Sequence, residues 1–275
     1  MHKVILKILL LLLLISENCL SGCRIANVST PLADKITADH NNEPNCVDTI
    51  LLQLQKKTSE LKQYQCNVEY LVRQPLFETQ TLRKGMLYYQ KTPGKSNLRV
   101  NFDTVKEDDE KEEKQKVQYI LDGIWLTHID YEMKQVKMHQ LTDANDPNAV
   151  IDAFELISRN FPIVGFSKTE DLKKQFEIKV LELAQSEAQK YIKLHLKVRP
   201  DSAYKDDYTH IEFWIDKKLY LPAKVVSVST EEDIYQIQFL KARVNKKLSA
   251  KTFDFEIPKS FTIEKNPIKK KTEEK

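Results

Sequence analysis

Glycine is the residue this sequence most lacks. Its 275 residues hold only five, and the four beyond Gly22 (Gly85, Gly94, Gly123 and Gly165) stand far apart. Neither G-x-G-x-x-G nor G-x-x-x-x-G-K can be assembled from them, which excludes the common phosphate-cradling loops. Cysteine is scarce too, with no C-x-x-C among Cys19, Cys23, Cys46 and Cys66. A thioredoxin-type or metal site therefore has no support. Formal net charge is only +3 and no dense basic patch is visible. Nucleic acid is not expected as a partner, because phosphate binding needs clustered Lys and Arg. G-x-S-x-G and H-E-x-x-H are both missing. His40, His128, His139, His195 and His210 show no ligand-like spacing, and His195 alternates with Lys193 and Lys197 as a solvent-facing residue would. The expectation is a protein that is not an enzyme and carries no metal or cofactor.

What the sequence does have begins with its leader. Lys3 and Lys7 give a short positive start, and Val4 to Ile15 form a largely apolar run of 12 residues that includes Lys7. A membrane-spanning helix needs roughly 17–25 residues, so this run reads as the core of a signal peptide over residues 1–22. Leu20-Ser21-Gly22-Cys23 follows. It resembles the bacterial lipobox, in which small residues admit the backbone to a peptidase and the cysteine thiol takes a diacylglyceryl group. Lipidation of Cys23 would tether the chain to a membrane without a transmembrane helix, since two or three acyl chains hold a protein stably where one does not. Residues 23–45, rich in Asn, Asp, Thr and Pro, read as a flexible tether. Arg24 stands where an inner-membrane retention signal places Asp. That favours the outer membrane, with the protein facing the periplasm.

From residue 46 the pattern is that of a folded domain; apolar residues are 41% and charged residues 30%, an ordinary globular balance. Val47, Ile50, Leu51, Leu54 and Leu61 fall at helical spacing behind a possible N-cap, Asn45. A straight helix between Cys46 and Cys66 would hold them ~25 Å apart, against the ~7 Å a disulfide allows, so both thiols are expected to be unpaired. Strand signals follow: Val68, Tyr70 and Val72; Met86 to Tyr89; Leu98, Val100 and Phe102. After the charged run Lys106 to Lys116, read as a solvated hairpin loop, they continue through Val117–Leu121, Ile124–Tyr131 and Gln135–Met138. Asp146-Pro147 starts a second helix whose apolar face includes Phe154 and Ile157 and which ends at Phe161-Pro162. Strands resume at Phe176–Leu183, Tyr191–Val198, Ile211–Ile215, Ala223–Ser229, Ile234–Phe239, Phe253–Ile257 and Phe261–Ile263. Clean alternation indicates antiparallel strands with one wet face. The tail, 264–275, is expected to fray.

About ten such strands must curl, with helices covering the inner face. The fold class expected for 46–263 is mainly β: a curved, unclosed antiparallel barrel of about 10–11 strands under a helical lid. Gly85-Met86-Leu87 with Pro93 resembles the G-x-L-x-x-x-x-P segment of the LolA/LolB-type lipoprotein carriers. Asp122-Gly123-Ile124-Trp125 with Tyr131 and Gln135-Val136 resembles their next hairpin. Ile215-Asp216 with Pro222-Ala223-Lys224 is similar to their I-D…P-x-K pair. Val244-Asn245 with Phe253-Asp254-Phe255-Glu256-Ile257-Pro258 is similar to their closing segment. The resemblance implies a non-enzymatic lipid- and lipoprotein-binding envelope protein. Its partners would be acyl chains of lipoproteins or lipids, a membrane through the N-terminal anchor, and other lipoprotein-sorting components. Candidate cavity walls are Leu98, Val100, Phe102, Leu194, Leu196, Ile211 and Phe213; candidate lid residues are Phe154, Ile157 and Phe161. The family's latch arginine has two candidate positions, Arg73 and Lys91. An envelope sensor or protein-interaction module on the same shell is the alternative.

Overall fold

The computed structural model describes residues 44–92, 95–122, 124–141 and 169–268. The leader, Cys23 and the helix expected at 146–161, with Phe154, Ile157 and Phe161, lie outside them. Helix α1 (Pro44–Ser59) forms where the apolar stripe predicts it. Its first residue is proline rather than an Asn45 cap, a position where the missing N–H costs nothing. Val47, Ile50, Leu51 and Leu54 are buried along one face. Lys56 and Lys57 sit in the last turn, at the negative end of the helix dipole. The Thr58 and Ser59 hydroxyls donate to the carbonyls of Gln55 and Lys56, at 2.9 and 2.7 Å, and close it.

The strands are β1 (Gln63–Gln74), β2 (Thr79–Thr92), β3 (Lys95–Glu107), β4 (Glu113–Leu121), β5 (Trp125–Asp130) and β6 (Gln135–Gln140). After α2 (Thr169–Gln175) come β7 (Phe176–Leu181), the short α3 (Gln185–Ala188), β8 (Tyr191–Val198), β9 (Tyr208–Asp216), β10 (Pro222–Ser229), β11 (Ile234–Val244) and β12 (Thr262–Asn266). All twelve form one curved, unclosed sheet in the order β12-β6-β5-β4-β3-β2-β1-β11-β10-β9-β8-β7. Neighbours are antiparallel except β12, which joins β6 in parallel. The strand count thus exceeds expectation by one or two, and the edge strand β12, expected at Phe261–Ile263, runs on to Asn266 through residues read as frayed tail.

Alternation on β1 sets the two faces. Tyr64, Cys66, Val68, Tyr70 and Val72 are all buried, while Gln65, Asn67, Glu69, Leu71 and Arg73 point the other way. Register carries the buried face outward from β1: Tyr70 opposes Arg83 on β2 and Ile237 on β11, and Ile237 opposes Val225 on β10. This is the concave side. A bulge interrupts the β2–β3 ladder, so Gly85 pairs with Phe102 but Lys84 with Thr104. A Cβ on Gly85 would stand 1.8 Å from the Asn101 carbonyl oxygen, so only glycine lets the strands approach here. The extra residue also flips parity, and Val105 joins Phe102 on the buried face.

Among the described residues, the segment after β11 covers the convex side over β4–β6. The stretch Phe253–Ile257, expected as a strand, has no ladder partner; a 3-10 turn spans Ala250–Phe253 and an extended segment follows. Its alternating Phe255 and Ile257, with Phe261, pack on Ile120, Ile129 and Val136 from the outer face of β4–β6. A sheet edge does not claim its carbonyls. Arg99 does: Nη1 donates to the carbonyls of Thr252 and Asp254, at 2.9 and 2.7 Å.

Candidate functional site

The concave face divides into two parts with different cover. Over β7–β10 lies α1, whose Val47, Ile50, Leu51 and Leu54 pack with Phe176, Leu194, Leu196, Ile211, Phe213 and Ile215. Those last four strand residues and Leu194 are 0% exposed. Lys173 on α2 forms an ion pair with Asp48 and ties the two helices together. Of the predicted cavity walls, Leu194, Leu196, Ile211 and Phe213 therefore sit in packed core beneath the helix.

The other part runs over β1–β5 and β11. Here Tyr70, Tyr89, Phe102, Val117 and Leu121 are buried, while Leu98, Val100, Tyr119, Tyr235, Ile237 and Phe239 pack against them half-buried. The remaining predicted walls, Leu98, Val100 and Phe102, belong to this row. Among the described residues no helix lies over it. An aromatic file crosses the strands: Tyr70 with Phe102 (6.4 Å between centroids), Phe102 edge-on to Tyr119 (6.3 Å), and Tyr119 stacked on His128 (4.7 Å). Burial pushes the Tyr119 hydroxyl well above its ordinary range, so it stays protonated. Burial likewise lowers His128 to about 4, which keeps its imidazole neutral.

Polar groups enter this face at its edges, and sequence reading missed them. Arg83 stands on β2 opposite Tyr70 and Val105, and its charge acts on the hydroxyls of Tyr70 and Tyr119 and on His128. The two latch candidates lie elsewhere: Arg73 is exposed on the convex side and Lys91 is exposed at the end of β2. The Tyr70 Oη and Ser227 Oγ are buried with no hydrogen-bond partner. No signal in the sequence marks Arg83, because TQTLRKGM alternates weakly and a bulge sits beside it.

His139, on β6 opposite Leu126, shares the concave side with His128, whereas His195 and His210 lie apart from this site. His195 and His210 share the convex face with ring centroids 5.1 Å apart, both lowered mainly by burial. His195 is half-buried there rather than fully wet. Nearby, Trp214 lies between Lys193 and Lys224, 4.5 and 4.3 Å from the ring centre. Among the described residues no group of three His, Cys, Asp or Glu could hold a metal ion. Cys46 and Cys66 are unpaired, Cys46 exposed on α1 and Cys66 buried with its thiol pushed up to about 12 by desolvation. No described helix is long and apolar enough to cross a membrane.

No protein-family model and no curated protein matches the chain. Among solved structures it is similar to an uncharacterised conserved protein from Thermus thermophilus, at 12% identity and a TM-score of 0.46, covering 80% of this chain and 99% of that one. It is similar to a chain of the MucA/MucB complex from Pseudomonas aeruginosa, at 12% identity and a TM-score of 0.43, covering 76% of this chain and 60% of that one. The chain thus spans about three fifths of that relative's length. It is also similar to a LolA-superfamily protein from Nitrosomonas europaea, at 12% identity and a TM-score of 0.30, covering 76% and 97%.

Proposed function

We propose that this chain is a non-enzymatic envelope protein, lipid-anchored through Cys23, that holds acyl chains of lipids or lipoproteins against the concave face of β1–β5 and β11. The anchor places it on a membrane facing the periplasm, the outer membrane in a Gram-negative cell, in the service of lipoprotein sorting. The observation that carries the reading is the half-buried apolar row Leu98, Val100, Tyr119, Tyr235, Ile237 and Phe239 beside a fully covered core. Burial of an acyl chain there gains ~0.8 kcal/mol per CH₂, enough for a few methylenes to hold a guest without trapping it. No bond is made or broken in this activity.

Native mass spectrometry of the full chain carrying Cys23→Ser, purified without detergent, tests it. Acyl lipids should appear as adducts, and a fluorescent fatty acid should bind the stripped protein in a saturable way. A chain that carries no lipid and binds none would overturn the reading. A second reading, a protein-interaction module, rests on Leu76, Phe77 and Met133, exposed at 80%, 66% and 75% on the β1–β2 and β5–β6 hairpin tips. Those tips face the same end of the sheet, joined through the β3–β4 turn, where Asp108 accepts from the Gln80 amide. A pull-down partner lost on Phe77→Ser, with no lipid in the protein, would favour it.

A further inference from the structure

Two hydroxyls on the concave face are buried and unpartnered: Tyr70 Oη, on a residue 2% exposed, and Ser227 Oγ, on one 1% exposed. An unsatisfied buried hydroxyl costs about 1–3 kcal/mol, so a pair on one face asks for an explanation. Register places them near each other. Tyr70 pairs across β11 with Ile237, and one step along, Tyr235 pairs with Ser227. Sheet spacings put their Cα atoms roughly 12 Å apart, within joint reach of one small group given the length of a tyrosine.

Their surroundings are polar in a way the rest of the trough is not. The Tyr235, Tyr208 and Tyr119 hydroxyls and the Arg83 guanidinium lie near enough to act on the Tyr70 hydroxyl. Tyr208 is buried at the start of β9, opposite Ser229. The Tyr235 hydroxyl donates to Asp233 at 3.2 Å. Arg83 is the cation of this cluster, and it faces inward beside Tyr70. Burial holds Tyr70 protonated, so it is available as a donor. A guanidinium with neutral donors around it, set in an apolar wall, is complementary to an anion, and charge-assisted bonds to it are about twice as strong as neutral ones.

We infer that Arg83, Tyr70 and Ser227 form a head-group site at the Tyr235 end of the trough, which takes the anionic head of an acyl ligand while the chain lies along Phe102, Val100 and Leu98. The inference rests on the acyl-binding reading and adds to it a polarity: head at Arg83, tail toward Leu98. The head is a carboxylate or a phosphate; both present the same oxygens to the site.

Displacement of a fluorescent fatty acid from the Cys23→Ser chain tests this with three probes: palmitoleic acid, palmitoleyl alcohol and lysophosphatidylglycerol. The acid or the lysophospholipid should bind about tenfold more tightly than the alcohol, the stronger of the two identifying carboxylate or phosphate. Arg83→Gln should bring the acid and the lysophospholipid down to the alcohol's affinity, while Arg83→Lys should keep most of the preference. Tyr70→Phe and Ser227→Ala should each weaken the preferred anion severalfold with the melting temperature held within a few degrees. Equal binding of all three probes, unmoved by any variant, would mean that water alone satisfies the hydroxyls and would overturn this inference while leaving acyl binding intact. No binding of any probe would sink the acyl-binding reading itself, and this inference with it.

Discussion

The helix-covered part of the concave face and the part over β1–β5 are built from the same strand chemistry yet finished differently. Beneath α1, alternating Leu, Ile and Phe meet a second apolar surface, and Leu194, Phe213 and Ile215 reach 0% exposure. Over β1–β5 the inward residues are larger and more aromatic, and half of them keep a partly open side. Alternation decides which face is apolar. It does not decide whether anything is laid upon that face, and the division between core and trough follows from where one amphipathic helix lands.

That difference can be broken by truncation. Phe213→Ala should cost about 3–5 kcal/mol, because it opens a cavity in packed surroundings. Val100→Ala, on the half-buried row, should cost about 1 kcal/mol or less. Urea denaturation of the two variants measures both, and equal losses would erase the distinction. Gly85→Ala should cost about 3 kcal/mol despite adding one methyl, since the new atom meets the Asn101 carbonyl at 1.8 Å and the bulged ladder must shift. A variant as stable as the parent would mean the open part bends more freely than its strand register indicates.

Acid sharpens the comparison further. His128 is lowered by burial from 6.5 to about 4, so the folded chain keeps it neutral where the unfolded chain protonates it. The stability this supplies is complete above pH 6.5 and is lost as pH falls toward 4, by about 3 kcal/mol. Melting temperatures between pH 7 and pH 4 should fall, and His128→Gln should flatten the slope. A wet trough wall beside β5 would instead let His128 titrate near its ordinary value, and the variant would then change nothing. The smallest effect is chemical. A thiol reagent should modify Cys46 in the folded protein and reach Cys66 only on unfolding, read by peptide mass spectrometry. Rapid labelling of Cys66 would place the open part's core within reach of solvent.

Much of this arrangement was legible in the residues. Tyr191–Val198 begins and ends where its alternation does, since both faces have a clear character. The apolar stripe of α1 was equally plain. The β1–β2 turn was not, because Pro75-Leu76-Phe77 carries none of the glycine or asparagine that mark hairpins. Arg83 escaped notice because its inward neighbour on β2 is Gly85 while Leu82 and Met86 put apolar side chains on the other face, so neither face reads clearly as wet there. On β3 a period-two reading fails at the bulge: one inserted residue puts Val105 inward and Thr104 outward, against the count from Phe102. Phe253–Ile257 showed true alternation but the wrong inference, as one apolar side can rest on a sheet without joining its ladder. The placement of hydroxyls at Tyr70 and Ser227 depends on strands brought together from opposite ends of the chain, and no local pattern encodes it.

The first strand waits longest for its second neighbour. Asn245 Oδ1 accepts from the amides of Lys62 and Gln63, and its own amide donates to the Gln63 carbonyl, a clasp between residues up to 183 apart. A ribosome adding 5–20 residues per second needs roughly ten to forty seconds to supply that partner. Throughout that interval β1 has one edge unpaired, and long-range pairing of this kind is slow to form once it becomes possible. The runs β1–β6 and β7–β11 pair with sequence neighbours, but the β1–β11 seam that joins them into one sheet closes only after nearly the whole polypeptide exists.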